Sequence, residues 1–451
     1  MSPVPDARDL VELCRAAVEA AEGDEAVEAF GEESRHTEVR ARKREIEGLT
    51  FSESRGVGVR LIVEGRLGYS YAADPSTEEV RRAVAQAREN STFATADEFN
   101  ALPLAEEAEP IPELFRSSQA EEPTDRKVSL ALDLERMATS ADPRVKKVDE
   151  ALYGDAISRS VVASTTGISV DASRTDCWCV VSSLAEEGDE TQTGFDFRLA
   201  REIGELEWAD CAAVAADRAA RMLGATKPPT AKLPVVLDPH AASNFLGVLG
   251  GALSAEAVQK GRSLFAPLVG EQVGSELFTL IDDGRLAIGP AASPVDAEGV
   301  PTQRTTLIER GMLKGFLHNT YTARRGGAES TGNAERGGYR SAPGVGTSNF
   351  FVQEGSFDVD EILRRAEGGV AIRDVSGVHS GANPISGEFS VGATGLRVKD
   401  GALGEPLREM TIASTIPDML KAVAAVGNDL RFFTSVGTPT IMIGEMTVAG
   451  V

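Results

Sequence analysis

The sequence predicts an α+β protein: an N-terminal helix and antiparallel-sheet unit, a middle α+β unit, and a C-terminal β-rich domain, barrel-like or a sandwich, carrying two helices. Three observations lead there. Short runs of alternating polarity lie between amphipathic helical stretches up to residue 226. An acidic, proline-rich segment interrupts them at 96–126. Beyond residue 233, short strands punctuated by glycine replace that pattern. A chain of 451 residues exceeds a single core, which stops growing near about 250 to 300 residues. The expected boundaries are therefore 1–95, 96–126, 127–226 and 227–451.

Residues 6–22 set Leu10, Leu13, Cys14, Ala17, Val18 and Ala21 at three- and four-residue spacing behind Asp6, a capping residue, and so predict a helix. Runs at 25–30, 37–42, 56–63 and 66–71 suit strands, with Glu64-Gly65 as a hairpin turn. Pro75 and Ser76 open a helix to about residue 89, with Val80, Ala83, Val84 and Ala87 on one face. Pro103, Pro110, Pro112 and Pro123 among glutamates rule out long elements in 96–126, expected to wrap the surface as a linker. The middle unit reads as a helix at 125–138, strands at 145–153, 157–164, 168–172, 177–185 and 191–198, and a helix at 208–223. In the last domain Arg310-Gly311 and Asp400-Gly401 signal hairpins, and helices are expected at 239–260 and 416–426. Seven glycines within 326–346 predict a mobile loop.

Hydrophobic residues at 42% and charged residues at 26% are ordinary for a globular chain. The longest apolar stretches, 246–253 and 422–426, fall well short of the ~20 residues that span a bilayer. No basic segment followed by an apolar one opens the sequence, so a cytoplasmic protein is expected. A net charge of −24 repels phosphate backbones and anionic lipid, which argues against nucleic-acid and membrane partners. The basic runs 40–44 and 324–325 read as solvated surface. Four cysteines are too few for a disulfide framework; Cys177 and Cys179 share one strand face and read as buried thiols in preference to a metal pair.

The chain lacks a phosphate loop, a Cys-x-x-Cys pair and a Gly-x-Ser-x-Gly elbow. Its histidines, His36, His240, His318 and His379, are too far apart for any two to share a helical turn. A zinc site from His240, His318 and His379 would have to be assembled by the fold; the alternative is ordinary surface or hydrogen-bonded histidine. The helix expected after Pro239 is more informative. Phe245, Leu249, Ala252 and Leu253 form its apolar stripe, interrupted by Gly247, Gly250 and Gly251. A mid-helix glycine costs about 1 kcal/mol against alanine. Either another backbone approaches closely there, or side chains are missing from a face where a ligand or partner enters.

Several dispersed stretches, in order, now carry a resemblance. They are Lys260-Gly-Arg-Ser-Leu-Phe265, Leu317-His-Asn-Thr-Tyr-Thr-Ala-Arg-Arg325, Gly387-Glu-Phe-Ser-Val-Gly-Ala-Thr-Gly-Leu-Arg-Val-Lys-Asp-Gly401, Met410-Thr-Ile-Ala413, Ala425-Val-Gly-Asn-Asp429 and Glu445-Met-Thr-Val-Ala-Gly450. Over nearly its whole length the chain resembles the TldD/PmbA family, once described as modulators of DNA gyrase, and looks like the PmbA (TldE) branch. In the TldD branch a helix before a Gly-x-Ser-x-Phe stretch bears His-Glu-x-x-x-His, whose histidines bind zinc and whose glutamate is the general base. Counting back from Gly261, those positions fall on Leu246, Gly247 and Gly251. The TldD-type site also uses a cysteine of the C-terminal domain, and the last cysteine here is Cys211.

The resemblance thus implies a non-catalytic subunit with no cofactor of its own, zinc residing in a TldD-type metallopeptidase partner. Such a pair would cut small or extended peptides, including modified-peptide precursors and antitoxins. This chain would supply a chamber wall and an edge strand onto which an extended peptide adds. Candidate groove residues are Arg262, His318, Asn319 and Tyr321 with the loop from Gly326 to Gly346. Two other readings remain: a stand-alone homodimer that binds peptides or a protein, and an enzyme using Glu388, His318 or His379 as acid and base.

Overall fold

The computed structural model describes residues 7–450, so the expected cap Asp6 lies outside the described residues. The first half runs α1 (Ala7–Glu19), β1 (Ala26–Arg42), β2 (Glu45–Val63), β3 (Arg66–Ala73), α2 (Thr77–Thr92), α3 (Ser117–Ala120) and α4 (Thr124–Ala141). It continues with β4 (Val145–Ser164), β5 (Ser169–Glu187), β6 (Glu190–Ala200) and α5 (Trp208–Arg221). All six strands form one antiparallel sheet in the order β3-β2-β1-β4-β5-β6. Segment 96–126 is therefore no break in the sheet, because β1 pairs with β4 directly. Between α2 and α3 the chain crosses the surface without helix or strand, anchored by buried Leu102, Ile111 and Leu114.

Three pairs of short strands expected from the sequence are single long strands: β1, β4 and β5. For β1 the physical reason is cross-strand charge. Glu33 stands opposite Arg55 on β2 and Arg159 on β4, at 3.6 and 3.4 Å, so polar residues in mid-strand are paired across the ladder and do not mark a turn. The Glu64-Gly65 hairpin forms as expected, both residues having positive φ (48° and 74°).

Alternation puts Val27, Ala29, Val39 and Ala41 of β1 on one face. α1 and α2 cover the first pair together with Val57, Val59 and Leu61; α4 and α5 cover the second with Tyr153, Cys177 and Cys179. The other face presents Glu28, Phe30 and Arg60 to the C-terminal domain. There the Arg60 guanidinium donates to Glu28 at 2.6 Å and to Glu298 at 2.7 Å, all three side chains buried.

The C-terminal domain begins β7 (Ala231–Leu237), α6 (Pro239–Ala252), α7 (Ala255–Gln259), β8 (Leu280–Asp283), β9 (Arg304–Glu309), β10 (Met312–Leu313) and α8 (Thr320–Gly326). β11 (Ala334–Glu335), β12 (Gly344–Val345), β13 (Phe350–Val352), α9 (Val359–Arg365), β14 (Val370–Ser376) and α10 (Val378–Gly381) follow. β15 (Glu388–Lys399), β16 (Ala402–Thr415), α11 (Ile416–Lys421), β17 (Val423–Val426), β18 (Arg431–Phe433), β19 (Val436–Thr438) and β20 (Ile441–Ala449) complete it. The run β16-β15-β14-β7-β20 closes through a β16–β20 pairing into a five-stranded barrel, so of the two expected architectures the barrel forms. A second sheet has the order β10-β9-β8-β13-β19-β18. α6 is wedged between them: Phe245, Leu246, Leu249 and Leu253 share one core with Val235, Ile372 and Ile443 of the barrel and Leu280, Leu307 and Phe350 of the second sheet.

Both helices expected in this domain need correction. The helix expected over 239–260 is two helices, because Ser254 Oγ accepts the Ala257 N–H at 3.1 Å and starts α7 afresh. The helix expected over 416–426 ends at Lys421, and 423–426 becomes β17, paired with β20. Periodicity is mute over so short an apolar run, and the barrel decides.

The glycine-rich stretch 326–346, expected to be mobile, is a strap tied across the two halves. Arg336 pairs with Glu28 and lies 5.0 Å from the Phe30 ring centre; the Tyr339 N–H donates to Glu32 at 3.2 Å, and its carbonyl accepts from Tyr69 at 2.8 Å. Asn333 donates to buried Asp282 at 2.7 Å. Gly56 and Gly58 on β2 make room for it, since a Cβ on either would collide with Tyr339. No helix among the described residues is long and apolar enough to cross a membrane.

Candidate functional site

β7 delivers the chain to Asp238, whose carboxylate accepts the Ala241 N–H at 2.8 Å and caps α6, with Pro239 at the first helical position. Opposite the apolar stripe, His240, Asn244, Gly247 and Gly251 follow one another at helical spacing. That second stripe floors a cleft of about 720 Å³. Phe195 and Phe197 of β6, Val378 and His379 of α10 and Phe433 of β18 form its walls.

The glycines of this helix divide in two. A Cβ built on Gly247 or Gly251 meets nothing within 4 Å, whereas one on Gly250 would lie 3.3 Å from the Thr347 methyl. Close approach of another backbone, one of the two explanations offered by the sequence, fails for Gly247 and Gly251; both face open space. Leu246, by contrast, is buried in the core.

His240 is held between the Phe195 and Phe433 rings, with centroids at 5.8 and 5.2 Å. Its Nδ1 is 3.9 Å from Asp374 and has no hydrogen-bond partner among the described residues. His379 is exposed on the far wall. His318 lies elsewhere, its backbone N–H donating to Thr331 Oγ1 at 2.7 Å, and burial holds its imidazole below the ordinary histidine pKa. The three histidines are not brought together. Glu388 is exposed and joins no His318 or His379 pair.

The groove residues expected from the sequence are not in the lining of this cleft. Asn319 caps α8, accepting the Thr322 N–H at 2.9 Å, and the Tyr321 hydroxyl donates to Asp97 at 2.9 Å; both border a separate hollow of about 220 Å³. Arg262 is exposed after α7. Gly326 ends α8, and Gly346 passes so close to Glu335 that a Cβ has no room. What the sequence reading missed was the cleft's aromatic wall; the stripe from His240 to Gly251 was the available signal for its floor.

Three family models cover this architecture: the PmbA/TldA metallopeptidase domain 1 matches residues 27–91, the central domain 118–223, and the C-terminal domain 230–450. The chain belongs to the PmbA/TldD metallopeptidase family. It is 26% identical over 418 residues to the Escherichia coli O157:H7 metalloprotease PmbA, covering 91% of this chain and 89% of that one. A Thermotoga maritima protein, described as a candidate modulator of a DNA gyrase, superposes with a TM-score of 0.89 at 26% identity over 96% of this chain and 98% of its own. TldE of Thermococcus kodakarensis shares the fold, with a TM-score of 0.89 at 24% identity over 97% and 99%.

The zinc that the resemblance implies for the metal-bearing branch does not fit the residues present at the corresponding positions. Leu246 points into the core, and Gly247 and Gly251 offer no donor atom. Among the described residues no group of three or more His, Cys, Asp or Glu side chains is placed to hold a metal ion.

Proposed function

We propose that this chain is the non-catalytic, TldE-type subunit of a cytoplasmic zinc metallopeptidase complex that degrades or matures peptides. A TldD-type partner bearing His-Glu-x-x-x-His supplies the zinc. The observation that carries the reading is the bare stretch of α6 at Gly247 and Gly251, which open onto the cleft with no side chain to bind a metal or accept a proton. Residues of this kind can neither hold a Lewis acid against a peptide carbonyl nor acidify a bound water. They can leave room. The cleft's rings, Phe195, Phe197 and Phe433, suit the side chains of an extended peptide, and β18, an outer strand of its sheet, offers main-chain hydrogen bonds beside them.

Co-expression with a His-Glu-x-x-x-His chain tests this. The expected result is a stable equimolar complex, with peptide hydrolysis by the mixture and none by this chain alone. Chelator-resistant hydrolysis by the isolated chain would overturn the reading; tight self-association without recruitment of such a partner would favour a homodimeric peptide binder.

A further inference from the structure

Next to the α6 cleft, and sharing His240 and Phe195 with it, lies a smaller cavity of about 110 Å³ lined by Arg218, Arg221 and Arg373. α5 supplies the first two arginines at i, i+3 spacing, and β14 supplies the third from the barrel. Asp217 and Asp374 share that lining and Asp238 stands beside it, so the three guanidinium groups face three carboxylates. Two of those acids are already bound to an arginine, and the third to a backbone N–H. Asp238 accepts from Arg218 at 2.8 Å, Asp217 accepts from Arg221 at 2.7 Å, and Asp374 turns to the Val375 N–H at 3.0 Å.

Arg373 is the group left over. Its nearest acid, Asp238, stands 3.8 Å away, beyond a good hydrogen bond, and its part-exposed guanidinium donates no hydrogen bond to a protein group among the described residues. The guanidinium carries five N–H donors in a planar fork matched to carboxylate. Two further nitrogens, Arg218 Nε and His240 Nδ1, are buried without a hydrogen-bond partner among the described residues, and the imidazole can present Nδ1 as a donor. Burial, joined by the Arg218 and Arg221 charges and opposed by Asp238, holds Arg373 below the usual guanidinium pKa. An added negative charge would relieve that.

We propose that this cavity is a carboxylate subsite, receiving the C-terminal carboxylate or an acidic side chain of an extended peptide lying in the α6 cleft. The inference rests on the cleft being a peptide groove. Arg373 would grip the anion through two parallel N–H donors, with Arg218 and His240 completing the shell, and because His240 and Phe195 border both, groove and subsite adjoin.

Fluorescence anisotropy on the full chain tests it with three labelled peptides of alternating Ala and Thr: one with a free C-terminal acid, one amidated, and one amidated after a terminal Glu. A carboxylate peptide should bind about tenfold more tightly than the uncharged amide, because a charge-assisted bidentate contact is worth that much. Tighter binding of the free acid alone assigns the main-chain carboxylate; tighter binding of the Glu peptide assigns the side chain. Arg373→Gln should abolish the preference for a carboxylate. Arg221→Gln, a partly exposed position, should weaken it with no loss of folding. Equal affinity for all three peptides, or a preference that survives Arg373→Gln, overturns the subsite while leaving the groove intact. Binding of none overturns both, and neither result touches whether a TldD-type partner is recruited.

Discussion

Helix α6 and the strap at 326–346 are both rich in glycine, and the structure uses the residue in opposite ways. At Gly247 and Gly251 the missing side chain leaves a void facing a cleft. In the strap Gly332 and Gly346 press against the Pro301 carbonyl and Glu335, and the segment pins one half of the molecule to the other. From sequence alone the helix left contact and emptiness both open, and the loop was expected to be mobile. Glycine marks a place where Cβ is unwanted, but only the fold says whether emptiness or contact is the reason.

The contrast can be tested by disturbing each region in turn. The largest effect should come from Arg60→Met beneath the strap, which leaves Glu28 and Glu298 buried around a lost cation. Breaking such a group should cost about 3 to 5 kcal/mol in denaturant unfolding; a loss below about 1 kcal/mol would mean that water reaches the site.

A pH dependence follows next. Burial raises Asp282 from an ordinary value of 3.8 to about 6, against hydrogen bonds from Ser348 and Asn333 of the strap. Because the folded pKa lies above the unfolded one, this stabilising term is fully present below pH 3.8 and is lost as pH rises through 6. Its full size is at most roughly 3 kcal/mol. Melting profiles from pH 4 to 8 should show this slope, and Asp282→Asn should make it shallower, leaving the part due to Asp296, which burial raises to about 7; an unchanged profile in the variant would place the titration elsewhere.

Smaller, and of opposite sign, are two glycine exchanges. Gly332 has a φ of 68° and no space beside Pro301, so Gly332→Ala should destabilise by about 2 kcal/mol. Gly247→Ala, helical and open, should stabilise by about 0.5 to 1 kcal/mol in the same unfolding assay. Equal signs would erase the distinction between the two regions.

Much of the first half was legible because local chemistry and tertiary structure agree there. The cap at Ser76 and the Glu64-Gly65 turn follow from nearest neighbours in sequence. Where a partner from far away decides, the sequence was silent or misleading: Glu33 inside β1 requires Arg55 and Arg159, and 423–426 is a strand because β20 lies beside it. The site divides the same way. The stripe on α6 could be read from spacing, but Phe195, His379 and Phe433 reach the cleft from three other elements. Arg373 meets Arg218 only because the barrel docks against α5.

The bare face of α6 is the claim on which the functional account stands, and metal analysis of the chain purified alone, by native mass spectrometry after zinc loading and desalting, tests it most directly. The expected spectrum is that of the metal-free protein, with zinc retained only when a His-Glu-x-x-x-His chain is present. A single zinc held stoichiometrically by the isolated chain, and lost on replacing Gly247 and Gly251 with valine, would contradict it.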